Sequence, residues 1–181
     1  MGHASLQKKS VAEIIAYIAL IGNIVLCMVL GSLLSERESM RGHVSHRLML
    51  EEFMVTRIEL INEKAPAERI AKAVLNASEK HRADPLLALS VIETESTYNP
   101  NAVGLSGERG LMQITKRTAK SLDLPWDDAF DIERNVDAGV RYLAGHVRRI
   151  GNKPVLTRYN GGGQGYAAHV MSRYREIGGE N

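Results

Sequence analysis

From Ile14 to Leu34, "IIAYIALIGNIVLCMVLGSLL", twenty-one residues pass without a charge. At ~1.5 Å of rise per residue, a helix of this length reaches across a hydrocarbon core of ~30 Å, so the run predicts a transmembrane helix. A cleaved secretory signal, with Lys8 and Lys9 as its basic start, is the competing reading. The apolar stretch exceeds the ~7–15 residues usual for such a signal, and no small-x-small site closes it. Lipid attachment through Cys27 is disfavoured by bulky Leu26 before it. Lys8 and Lys9 precede the run while Arg37, Arg41 and Arg47 follow it, so the positive-inside rule leaves the orientation open.

The rest of the chain has room for one core. Its 181 residues are 44% apolar and 24% charged, ordinary for a globular protein, and too few for two full domains beside the apolar run. The formal charge is +2. Between Arg69 and Ile177, sixteen Lys plus Arg stand against twelve Asp plus Glu, a net of +4. This mild bias suits an acidic polymer and falls far below the basic patches of nucleic-acid binders, so no nucleic-acid partner is expected. With Cys27 as the only cysteine, neither a disulfide framework nor a cysteine metal site is available within one chain.

Residues 35–65 begin polar, "SERESMRGH", and then place Leu50, Phe53, Met54, Ile58 and Ile61 on one helical stripe. The stripe either packs on a neighbouring core, the favoured reading, or belongs to a stalk that self-associates or lies on a membrane. His43 and His46 stand one turn apart without a third ligand, so no metal is expected. From Pro66 onward the pattern is helical. Pro66 and Pro85 read as first-turn prolines, the second with Asp84 as N-cap. Ile70, Val74, Ala77 and His81 line a first helix. "PLLALSVIE" is apolar nearly all round and predicts a buried central one. Thr115 caps a short helix, Val136, Val140, Leu143, Ala144, Val147 and Ile150 form a long stripe, and Ala167, Val170, Tyr174 and Ile177 a last one. No convincing strand run is visible. The glycines gather in two loops, "GLSGERGLMQ" and "YNGGGQG".

The central helix runs into "VIETESTYNP", with Glu93 and Glu95 two positions apart. Two positions on a helix are about 200° of rotation, so the carboxylates face opposite ways and cannot act as a pair. Glu95 lies where the helix should end, held by it and still reachable. Walled by apolar side chains, its carboxyl would be desolvated, protonated near neutral pH and able to act as a general acid. Taken alone, these ten residues read first as a solvated charge at a helix end.

They are joined by three further segments. "ES..NP.A" (Glu95 to Ala102) is followed by "GERGLMQIT..TA" (Gly107 to Ala119), "NVDAGVRYL" (Asn135 to Leu143) and "RYNGGGQG" (Arg158 to Gly165). In this order and spacing, residues 69–178 resemble the soluble lytic transglycosylase (SLT) family, which cleaves the glycan strands of bacterial peptidoglycan. The resemblance implies an all-α, lysozyme-like fold of the goose type, with Glu95 as catalytic acid and Glu93 structural. Ser96 would hold the following loop. Gly110, Leu111, Met112 and Gln113 would line the sugar cleft, Gln113 binding polar sugar groups and Met112 forming an apolar wall. Tyr159 would hydrogen-bond the catalytic carboxyl, with Asn160 beside it, and Asn135, Gly139, Tyr142 and Leu143 would pack a helix behind the cleft. Gly104 stands where the family has serine, Glu108 where it has a small residue and Arg158 where it has alanine. Glu108 can also be read as a second catalytic carboxylate.

Ordinary glycosidases use two carboxylates. A lytic transglycosylase, as the resemblance implies, uses one and needs no cofactor. Glu95 would protonate the oxygen between N-acetylmuramic acid and N-acetylglucosamine, and then accept the proton of the muramic C6 hydroxyl as the 1,6-anhydro ring closes. Goose-type lysozymes, the hydrolytic alternative, are similar in these motifs but carry aspartates where Gly104 and Thr115 stand here. A non-catalytic, membrane-tethered glycan-binding scaffold is the alternative from another class. Peptidoglycan lies outside the cytoplasmic membrane. The expected plan is therefore residues 1–13 inside, 14–34 spanning the inner membrane once, 35–65 as linker and amphipathic helix, and 66–178 as catalytic domain on the periplasmic or exterior side, with 179–181 as tail. Such a tether suits local wall opening for an envelope-spanning secretion or conjugation machine or for a phage, in whose membrane or virion the chain would then reside.

Overall fold

The computed structural model describes residues 11–150, 153–156 and 164–178, with 11–22, 24, 148–150, 153–156 and 164 described by backbone alone. Six helices carry this part of the chain: α1 (Val11–Ile61), α2 (Ala67–His81), α3 (Pro85–Ser96), α4 (Lys116–Ser121), α5 (Ile132–Ala144) and α6 (Gln164–Gly178). A 3-10 turn, Trp126–Phe130, precedes α5, and two strands, β1 (Val147–Ile150) and β2 (Lys153–Leu156), precede α6. The chain divides into two units, Met1–His46 and Arg47–Asn181.

In the first unit the 14–34 run is helical and leaves Leu26, Met28, Leu33 and Leu34 more than half exposed. Among the described residues no helix is long and apolar enough to cross a membrane; nearly half of the 14–34 run has no described side chains.

The second unit is built around α3. Asp84 caps it by accepting Leu86 N–H at 2.9 Å and Leu87 N–H at 3.2 Å, with Pro85 at the first position, where its missing N–H costs nothing. Every residue from Leu87 to Glu93 is buried, as an all-round apolar helix requires. The polar members turn their hydroxyls onto their own helix: Ser90 donates to Leu86 C=O at 2.7 Å and Thr94 to Ser90 C=O at 2.9 Å. Helix α6 packs against α3, α2 packs against α5 and α3, and the 3-10 turn lies against α4 and α5. The expected faces are buried: Ile70, Val74 and Ala77 on α2, Val136, Val140 and Leu143 on α5, Val170, Tyr174 and Ile177 on α6. At ~1.5–3 kcal/mol for each fully buried large aliphatic side chain, these faces dominate the unit's cohesion. Thr115 caps α4 by accepting Thr118 N–H at 3.0 Å.

The 35–65 stripe packs on this core. Met54 and Ile58 are fully buried, Leu50 and Ile61 partly, and only Phe53 is turned out. Arg47 adds hydrogen bonds to Glu79 at 3.0 Å and Asn76 at 2.6 Å on α2.

One expectation fails. The stripe from Val136 to Ile150 is not one helix, because α5 stops at Ala144 and Val147–Ile150 pair antiparallel with Lys153–Leu156. Gly145 follows the last helical residue, and β-branched Val147, Ile150 and Val155 favour the pleated strand. The register pairs Ile150 with Lys153, so Gly151–Asn152 is the whole connection, a pair common in two-residue hairpins. Helices carry the fold as expected, with this hairpin added.

Candidate active site

The last turn of α3 places its two carboxylates in contrasting settings. Glu95 is half-buried, and its Oε1 accepts the hydroxyl of Tyr166, on α6, at 2.6 Å. Such a short bond to a carboxyl oxygen fixes the side chain's rotamer and leaves its second oxygen to other partners. Glu93 is 6% exposed. Its Oε2 accepts Arg57 Nε at 3.0 Å and the Tyr98 hydroxyl at 2.9 Å, while its Oε1 accepts Arg57 Nη2 at 2.8 Å and lies 3.5 Å from Arg173 Nε. The hydrogen bond to Glu93 raises the Arg57 pKa above its ordinary value. Burial, followed by the charge of Glu93, pushes the Tyr98 hydroxyl far above the usual tyrosine range, so it remains a donor. Glu93, expected to be a bland structural charge, is a buried ionic hub.

The chain leaves α3 through two consecutive non-glycine residues in the left-handed region, Thr97 (φ 50°) and Tyr98 (φ 61°). Such residues cost of order 1–3 kcal/mol each and persist where their surroundings hold them. Here Asn62 Nδ2 donates to Thr97 C=O at 3.1 Å, and Tyr98 is fully buried on Glu93. Ser96, expected to hold the following loop, accepts Asn99 N–H of that loop at its C=O at 3.0 Å, while its hydroxyl donates to Ile92 C=O at 3.1 Å within its own helix.

The glycine-rich loop is organised by Asn135, at the buried start of α5. Its Oδ1 accepts Met112 N–H at 2.9 Å, and its Nδ2 donates to Ala129 C=O at 2.6 Å and Arg109 C=O at 3.0 Å. Gly110 (φ 76°) lies so close to Asn135 and Ala129 C=O that a Cβ would collide with both. Any side chain there would also be strained in its backbone. Met112 is 1% exposed and sits against Gly139, where a Cβ would strike its side chain. This places Met112 in the core, not on an open apolar wall, and explains the glycine at 139. Gln113 is nearly buried, at φ 44°, with Nε2 donating to Gly110 C=O at 2.8 Å and Ala102 C=O at 3.2 Å. Both amide hydrogens therefore hold the loop, while Oε1 lies against Gly104, where a Cβ would collide with it. Glu108 accepts Ser106 N–H at 3.0 Å and lies against Gly104, closing its own loop. Arg109 stacks its guanidinium 4.3 Å from the Trp126 ring centroid and donates to Trp126 C=O at 3.1 Å.

Glu95, Ser96, Gly110, Met112 and Gln113 are thus all placed, whereas Tyr159, Asn160 and Arg158 lie outside the described residues. Tyr166 was not anticipated. It stands one turn before Val170, two before Tyr174 and one residue before Ala167, so it lies on the same side of α6 as the stripe. Among the described residues, no group of three or more His, Cys, Asp or Glu is arranged to hold a metal ion.

Comparison with known proteins adds the following. Residues 72–177 match the family described as Transglycosylase SLT domain. Membrane-bound lytic murein transglycosylase C of Serratia proteamaculans is 35% identical over 132 residues, covering 62% of this chain and 37% of its own length. The protein of the same name from Edwardsiella ictaluri is 35% identical over 114 residues, covering 53% and 32%. The Transglycosylase of Enterobacteria phage PRD1 is 37% identical over 87 residues, covering 48% and 32%. The chain spans about a third of the length of these curated relatives.

Proposed function

The chain belongs to the transglycosylase SLT domain family, and from that premise we propose that residues 66–178 cleave bacterial peptidoglycan as a lytic transglycosylase with Glu95 as the acid. The observation that carries this reading is the division of labour at the end of α3. Glu93 is consumed by Arg57 and Tyr98, while half-buried Glu95, held by Tyr166 at 2.6 Å, sits at the helix terminus.

The mechanism needs one carboxyl group used twice. Protonated Glu95 donates its proton to the oxygen linking N-acetylmuramic acid to N-acetylglucosamine. The C1–O bond of the muramic residue breaks, and the substrate's acetamido group stabilises the developing cation. Glu95, now a carboxylate, takes the proton of the muramic C6 hydroxyl as O6 bonds to C1 and closes the 1,6-anhydro ring. The proton returns to Glu95, no water is consumed, and the enzyme ends as it began. Tyr166 orients the carboxyl and Gln113 Oε1 accepts from a sugar hydroxyl or amide; by the family resemblance, Tyr159 would hydrogen-bond the same carboxyl, with Asn160 beside it.

A hydrolase of the goose type would need a second carboxylate to activate water. Its aspartate positions hold Gly104, which has no side chain, and Thr115, whose hydroxyl caps α4. Digestion of purified peptidoglycan followed by mass spectrometry should yield 1,6-anhydromuropeptides. Reducing-end products alone would select the hydrolase, and no release at all would select the glycan-binding scaffold.

The 14–34 run is proposed as the membrane anchor, supported by its lack of charge, its helical backbone and the exposed Leu and Met side chains of its second half. The anchor confines lysis to glycan near the membrane, for an envelope-spanning machine or a phage. Protease added to intact spheroplasts should digest the catalytic domain; protection would reverse the proposed topology.

A further inference from the structure

Arg57 belongs to α1 and lies fifteen positions before the first residue of the family match, 72–177, yet it makes a two-pronged ion pair with a residue of the catalytic helix. Glu93 receives this fork on one side and Arg173 of α6 on the other, and Tyr98 reaches back to it from beyond the turn. Two residues on, Glu95 points the opposite way and meets Tyr166, also of α6. The final turn of α3 is therefore gripped on both faces, with the left-handed pair Thr97–Tyr98 as its exit. A left-handed threonine and tyrosine relax once their restraints go, and the restraint on Tyr98 is its hydrogen bond to Glu93. Asn62, just past the end of α1, holds Thr97 C=O, so α1 and the residue after it restrain the same turn twice.

We propose that Arg57, Glu93, Arg173 and Tyr98 form a positioning clamp for Glu95, making the last turns of α1 part of the catalytic apparatus. These are positioning residues, which act on the substrate only through the Glu95 carboxyl. The inference rests on the reading of Glu95 as the acid. A misplacement of ~1 Å in a catalytic group costs on the order of 100-fold in rate, and a side chain at the free end of a helix shifts by that much when its turn unwinds.

The test measures kcat and KM of the full chain on a soluble glycan strand. Arg57→Met should lower kcat about 10- to 100-fold with KM little changed, the signature of a group displaced from the transition state and not from the bound substrate. Arg57→Lys, which retains the charge without the fork, should fall between it and the wild type. In the Glu95→Gln background, Arg57→Met should leave sedimentation with insoluble peptidoglycan unchanged, because the cleft is intact. If Arg57→Met does not fold, the neutral pair Arg57→Met with Glu93→Gln, of similar volume, takes its place with the same expected kcat. Unchanged kcat in a folded variant, a matching rise in KM, or binding lost along with turnover would each overturn the clamp. Absence of turnover in the wild type would overturn the parent reading, so the two failures are distinct.

Discussion

The two glutamates at the end of α3 share a helix and stand two positions apart, yet Glu93 is buried among donors while Glu95 is half-buried at the helix end. Glu93 has a donor on every side: an arginine fork, a second arginine and a tyrosine hydroxyl. Glu95 is half-buried at the helix terminus and accepts the Tyr166 hydroxyl. The difference arises from rotation along the helix. A step of two residues turns one side chain toward Arg57 of α1 and the other toward Tyr166 of α6. The Glu93 carboxylate is committed to Arg57, Arg173 and Tyr98, whereas Glu95 is half-buried at the end of the helix.

Substitutions on the two faces should separate chemistry from stability. Glu95→Gln changes one atom and should lower turnover by about 10³-fold, in the range of general-acid contributions, with the melting temperature nearly unchanged. Retained activity would move the acid elsewhere, Glu108 first. Glu93→Ala should do more to the fold: breaking a buried pair leaves Arg57 uncompensated and costs about 3–5 kcal/mol, read by urea denaturation. A loss below 1 kcal/mol would show that Glu93 is not the hub. Tyr166→Phe keeps the ring and removes the donor to Glu95, so kcat should fall about tenfold, the scale of one hydrogen bond to a charged group, with stability hardly altered.

The smallest effect belongs to a third carboxylate, far more exposed than Glu93. Asp137 accepts Lys80 Nζ at 2.8 Å and faces His81 Nε2 at 2.9 Å. Burial pushes its pKa up, but the hydrogen bonds from Lys80 and His81 outweigh this and leave it below the ordinary value. A lowered folded-state pKa contributes stability above the unfolded value of about 4, and that contribution is lost as pH falls through the lowered value. Asp137→Asn should therefore cost at most about 1 kcal/mol at pH 7, as for surface pairs, and should make the acid limb of the stability curve shallower. An unchanged acid limb would remove Asp137 from it.

Much of the fold was legible because helices announce themselves locally. Asp84 before Pro85, Thr115 before Lys116 and the stripes of α2 and α6 are signals carried within a few residues, and each meets its expected partner or face. The hairpin was missed because Val147 and Ile150 also continue the helical spacing of α5. The strand pairing that separates them from α5 is a contact between Val147–Ile150 and Lys153–Leu156, which helical spacing does not register. At the site, Glu95 and Asn135 were legible as motif members, and the two-residue step correctly denied Glu93 and Glu95 a shared role. Met112 was misjudged because a methionine suits a cleft wall as well as a core, and only the proximity of Gly139 decides between them.

The sequence by itself determined where the helices begin, which faces are apolar, and that one glutamate ends a buried helix, since capping, periodicity and rotation act over a few residues. Tertiary structure alone decided that Arg57 reaches Glu93 across thirty-six positions, that Tyr166 reaches Glu95 across seventy-one, and that Asn135 gathers the glycine loop. Those bonds join segments whose separation along the chain says nothing about their distance in space. They form because the packing of apolar faces brings the helices together, and the polar groups at their edges then find one another.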